Sequence, residues 1–143
     1  MTRDSRFHPD KSSITQHDIS ALVTAFYAKV RLHPRLGPIF EHHIGLTDAD
    51  WHLHQQKIEA FWANVMLGAR AYRGNPMQAH MAVPGITKTD FESWLALFDA
   101  TANKILPANK AEVFSTFAHR IGQSLWIGLQ RSRETGGPPS LSL

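Results

Sequence analysis

The stretch NPMQAHMAVPGI, residues 75–86, holds a histidine, His80, in an apolar segment with a proline near each end. An imidazole can bond a metal, and the segment between Pro76 and Pro84 is too short to form a stable helix unaided. A group bonded to His80 would hold it in place. An iron porphyrin takes a single protein histidine within an apolar pocket. Zinc is the competing metal, with His42, His43, His52 and His54 as candidate ligands. Against zinc, the sequence has no HExxH pair and no Asp or Glu at ligand spacing. The absence of cysteine excludes disulfides, thiolate zinc sites, iron–sulfur clusters and a cysteine nucleophile. Three further side chains carry a polar tip onto an apolar stripe: Tyr27 beside Phe26, His54 between Trp51 and Ile58, and Trp94. Taken singly, each reads as a core residue whose polar end is satisfied. Spacing alone gives them no function.

Helices must position these residues. Ile19, Leu22, Val23, Phe26 and Val30 recur with helical period after Thr15, which forms a capping-box pattern with Asp18. Pro34 should end this helix near His33. PRLGPIFEHHIG, rich in proline and glycine, reads as a turn or a single helical turn burying Leu36, Ile39 and Phe40. Thr47 and Asp50 open a second helix through Trp51, Ile58, Phe61, Trp62, Val65 and Met66, and Gly68 marks its end. Thr89 with Glu92 is read as the start of a third, through Phe91, Trp94, Leu95, Phe98 and Ile105, stopped by Pro107. A last helix from Ala108 places Val113, Phe114, Phe117, Ile121, Leu125 and Leu129 on one face. Four substantial helices with short connections predict an all-α fold.

The chain has 143 residues, 43% hydrophobic and 19% charged, which suits one globular domain with a sizeable core. Its division is read as a flexible N-terminal extension over 1–14, a domain over 15–131 and a disordered tail over 132–143. The net charge of +3 is spread over scattered Lys and Arg, so nucleic acid is not an expected partner. No apolar run reaches the length of a membrane span, and the first residues lack the apolar region of a secretory signal, so a cytoplasmic protein is expected.

Several short motifs, in order and at matching spacing, resemble the truncated haemoglobins of bacteria, a branch of the globins, and among them the third group. They are FYAKVR at 26–31, LGPIF at 36–40, WHLHQQKIEAFWANVMLG at 51–68, YRGNPMQAH at 72–80 and FESWLALF at 91–98. The glycine pairs of the other truncated groups are absent; the adjacent glycines here are Gly136 and Gly137. The resemblance implies a two-over-two helical sandwich around one haem b. It also implies that His80 is the proximal iron ligand and that Tyr27, His54 and Trp94 form the distal, ligand-stabilising set. Phe40 would pack on the porphyrin face, with Phe61, Met77 and Phe98 also lining the pocket, while Lys57 and Tyr72 would meet the propionates. Ala79 departs from the family, which often carries a basic residue there; Arg70 or Arg73 is the candidate substitute.

The implied function is tight binding of O2, and of NO or CO, at a penta-coordinate haem iron, since each hydrogen bond to a charged acceptor slows ligand escape by roughly tenfold to a hundredfold and two donors are present. The alternative is a nitric oxide dioxygenase or a peroxidase-like enzyme. That alternative requires an external reductase, because the chain has no dinucleotide-binding glycine motif. A helical interaction protein that has lost haem ranks last. The expected state is a monomer or weak dimer.

Overall fold

The computed structural model describes residues 10–70 and 86–135. His80, Tyr72, Met77, Arg73 and Ala79 lie outside the described residues. Helix α1 spans Gln16–Leu32, and the anticipated capping box forms: the Thr15 side chain accepts from the Asp18 N–H, and Asp18 accepts from the Thr15 N–H. Asp18 also takes the Lys110 ammonium at 2.8 Å, which fastens the start of α1 to the last helix. Burial alone would raise the Asp18 carboxyl, but the Lys110 bond and the cap outweigh it and hold the group below its usual range. The stripe Ile19, Leu22, Val23, Phe26, Tyr27 and Val30 is buried. Each large apolar side chain on it contributes about 1.5–3 kcal/mol of transfer free energy.

Helix α2, the nine residues Leu36–Ile44, corrects the reading of this stretch as a turn or a single helical turn. Pro38 falls in the first turn, where backbone N–H groups have no intrahelical acceptor and a missing donor costs nothing. The His33 imidazole supplies the cap, its Nδ1 accepting from the N–H groups of Arg35 and Leu36 at 3.1 and 3.0 Å. Leu36 is buried, whereas Ile39 and Phe40 are half-buried. Helix α3, Asp48–Leu67, begins at the Thr47–Asp50 capping box and ends at Gly68, whose φ of 70° is the left-handed cap that glycine favours.

Helix α4, Lys88–Ile105, starts two residues earlier than the sequence suggested. Thr87 and Asp90 form its capping box instead of Thr89 and Glu92, and Asp90 has a second attraction, a two-pronged pair with Arg35 at 2.8 and 3.0 Å. Helix α5 runs Ala108–Thr135, so its last turn occupies residues assigned to the tail, and Ser132 is buried. At the other end Ile14 is 4% exposed and the Lys11 ammonium donates to the Val65 carbonyl at 3.1 Å, so the residues just before Thr15 are packed on the domain.

The helices form two crossed pairs, α1 with α3 and α4 with α5, joined by the packing of α1 on α4. This is the all-α, two-over-two arrangement. None of the described residues is in a strand, and none of their helices is long and apolar enough to cross a membrane. The main core centres on Phe26, Trp62, Phe98 and Phe114, and a satellite cluster joins Phe91, Leu125 and Leu129.

Candidate functional site

Tyr27, His54 and Trp94 come from α1, α3 and α4 and meet one aromatic cluster. The Tyr27 and His54 rings lie 5.1 Å apart, edge to face at 81°. Phe40 of α2 closes the group at 6.2 Å from Tyr27 and 6.4 Å from His54. Trp94 joins through Phe26, whose ring stands edge-on to Tyr27 at 5.1 Å, to Trp94 at 5.7 Å and to Phe98 at 5.2 Å. Such edge contacts set ring direction as well as burying area.

Tyr27 is 3% exposed, and burial pushes its phenol well above the ordinary range. It therefore keeps its proton at neutral pH and can donate. The Trp94 Nε1–H can only donate. Nε2 of His54 is buried although the residue as a whole is half-buried. A neutral imidazole offers one donor and one acceptor. The cluster thus contains two donors and one adaptable group.

The remaining expected pocket residues divide. Phe40, Phe61 and Trp94 pack against the core yet stay partly exposed, as do Ile58 and Val65, leaving an apolar aromatic surface beside the polar tips. A flat hydrophobic ring system with one polar edge suits such a surface. Phe98 lies deeper at 2% exposure, stacked between Trp62 and Trp94 at 5.7 and 5.9 Å. Lys57 is exposed on α3, three residues beyond His54, and Arg70 is also exposed. His42, His43 and His52 are exposed, and His52 Nε2 lies 3.2 Å from Gln56 Nε2. Among the described residues no group of three His, Asp or Glu could hold a metal ion.

Two residues that sequence reading treated only as core prove to hold the cluster. Phe26 touches three of its rings. Trp51 is 1% exposed and backs both Tyr27 and Phe40, at 6.3 and 6.4 Å. The sequence offered one hint for Phe26, its place next to Tyr27; neighbours in a helix do not share a face, so the contact with Trp94 depends on how closely α1 and α4 approach.

The bacterial-like globin family, as a sequence model, matches residues 14–123. Over 91 residues the chain is 42% identical to the group 3 truncated hemoglobin ctb of Campylobacter jejuni subsp. jejuni, covering 64% of this chain and 72% of that protein. The crystal structure of the group III truncated hemoglobin from Campylobacter jejuni superposes with a TM-score of 0.79 at 36% identity, covering 82% of this chain and 93% of that one. Fold and sequence agree, and the chain belongs to the bacterial-like globins, as a truncated haemoglobin of the third group.

Proposed function

We propose that the protein binds haem b through His80 and holds O2 tightly, with NO and CO as further ligands. The carrying observation is that the rings of Tyr27, His54 and Trp94, each with a polar atom and each from a different helix, join one aromatic cluster together with the part-exposed Phe40. The chemistry of these side chains fits the group: aromatic faces for the macrocycle and donors where a ligand would sit. Haem, held by His80, would supply an iron centre able to bind a diatomic gas.

The protein's own residues then do the following. Phe40 and Phe61 offer ring faces and exclude water. Tyr27 holds its proton on Oη and donates it in a hydrogen bond without releasing it, because burial disfavours the phenolate. Trp94 Nε1 is the second donor, kept in direction by Phe26 and Phe98. His54 donates or accepts according to its tautomer and can gate entry. Lys57, exposed on α3, and Tyr72 are the partners proposed for the propionates, and Met77 is carried over as a pocket residue from the motif shared with the family. Turnover of nitric oxide or peroxide with an external reductase is the alternative use of the same donors.

The test is the visible spectrum of purified protein, oxidised, reduced and under CO. A sharp near-ultraviolet haem band that shifts with each state and vanishes in His80→Ala is expected. Colourless protein that also refuses added hemin overturns the proposal. Steady nitric oxide consumption with an added reductase would select the enzymatic alternative.

A further inference from the structure

Helices α1 and α3 meet in two successive rungs. In the inner rung, Tyr27 faces His54 at 5.1 Å. Arg31 follows Tyr27 by one turn on α1, and Trp51 precedes His54 by one turn on α3, so both fall on the same contacting faces. They make the outer rung, the Arg31 guanidinium carbon standing 4.9 Å from the Trp51 ring centroid.

The outer rung is tied to the backbone. Trp51 Nε1 donates to the Gly45 carbonyl at 3.0 Å, and Arg31 Nη1 donates to Asp48 Oδ1 at 2.9 Å. Asp48 is 95% exposed at its side chain, so the ion pair contributes little. The cation over the indole is the stronger attachment, because Trp51 is buried and its ring is shielded from water. Trp51 lies behind Tyr27 and Phe40 together, and Phe40 in turn meets His54. A shift of this indole therefore reaches three members of the distal group.

We infer that Arg31 and Trp51 are positioning residues for the distal site, their cation–ring contact fixing the α1–α3 spacing at which the His54 imidazole rests against Tyr27. The inference rests on the ligand-binding reading above. It makes the outer rung a regulator of ligand escape: when the rung loosens, His54 turns away from Tyr27.

The haem-loaded protein tests it with Arg31→Gln, which keeps a polar chain but removes the charge, and Arg31→Lys, which keeps a cation. Arg31→Gln is expected to speed oxygen dissociation by about threefold to tenfold and to shift the C–O stretch of the CO complex, and Arg31→Lys to restore most of both. In a His54→Leu background Arg31→Gln should lose most of its effect on both. Trp51→Phe, which keeps a ring but loses the bond to Gly45 and part of the surface under Arg31, should move both readouts in the same direction. In the haem-free protein, Arg31→Gln should shift the His54 imidazole resonances by NMR and leave the distant Trp126 indole unmoved. The inference is overturned if both outer-rung variants match the parent in rate and stretch, if the full Arg31 effect persists without His54, or if the His54 resonances do not move. A parent protein that takes up no haem overturns the ligand-binding reading instead, and the NMR comparison still decides the rung.

Discussion

Helix α4 serves two apolar clusters of different character. Near its start, Phe91 packs with Leu125 and Leu129, bordered by Ile86, Ile121 and Trp126, and the indole of this cluster is only half-buried. Further along, Trp94 and Phe98 enter the cluster that also contains Tyr27 and His54. Burying a hydroxyl costs about 1–3 kcal/mol unless a partner compensates it. The satellite cluster avoids that cost by building its buried centre from Phe and Leu, while the main cluster carries a phenol at 3% exposure. Apolar burial accounts for the first region; in the second it leaves the buried phenol to be explained, which is where the proposed function enters.

Substitutions can separate the two regions. The largest effect is expected from Phe26→Ala, which opens a cavity at the hub of the main cluster and should cost about 3–5 kcal/mol in denaturant unfolding. It should also accelerate ligand dissociation, since Tyr27 and Trp94 lose their common neighbour. Leu129→Ala, the counterpart in the satellite cluster, should cost about 2–4 kcal/mol and leave ligand dissociation in the haem-loaded protein unchanged. If stopped-flow measurement shows both variants releasing ligand equally fast, the division between the clusters fails.

Tyr27→Phe keeps the ring and removes the hydroxyl. Unfolding free energy should stay within about 1 kcal/mol of the parent, while oxygen dissociation rises by roughly tenfold to a hundredfold. A variant that loses stability without releasing oxygen faster would make Tyr27 an ordinary core residue.

The smallest effect concerns Asp90, at the junction of α4 with Arg35. The Arg35 guanidinium, aided by the Thr87 cap, outweighs burial and holds the Asp90 carboxyl below its usual range. Since the folded value lies below the unfolded value of about 3.9, the stabilisation is complete above that pH. It fades as pH falls through the lower, folded value. Asp90→Asn should therefore be about 1 kcal/mol less stable near neutrality, and the difference should close in acid. Denaturant midpoints from neutral pH down to about pH 2 would show the curves converging; parallel curves would remove Asp90 from the acid response.

Much of this organisation is legible in the sequence because it is local. Thr15 with Asp18 and Thr47 with Asp50 announce two helix starts, and apolar spacing by itself puts Tyr27, His54 and Trp94 on inward faces. Two patterns of equal local quality compete at the start of α4. Thr87 with Asp90 prevails over Thr89 with Glu92 where Arg35, 55 residues earlier in the chain, adds its pair. Helix α2 is hidden by its prolines and by a cap made from a histidine, a residue outside the usual capping set. The roles of Phe26 and Trp51 are scarcely legible, Phe26 only through its place next to Tyr27, because a ring contact depends on the distance between helix axes, which no single helix encodes.

Gly45, between α2 and α3, has a φ of 129°, and a Cβ there would strike the Asp50 carboxylate that caps α3. Its carbonyl also receives the Trp51 indole N–H. In a survey of tolerated substitutions this turn should behave as strictly as a core position: any side chain would unseat the start of α3 and release Trp51 at once. Divergence elsewhere around the turn is affordable, as at Leu46, which is 74% exposed. The surface of this globin should therefore show one invariant point set among freely changing neighbours.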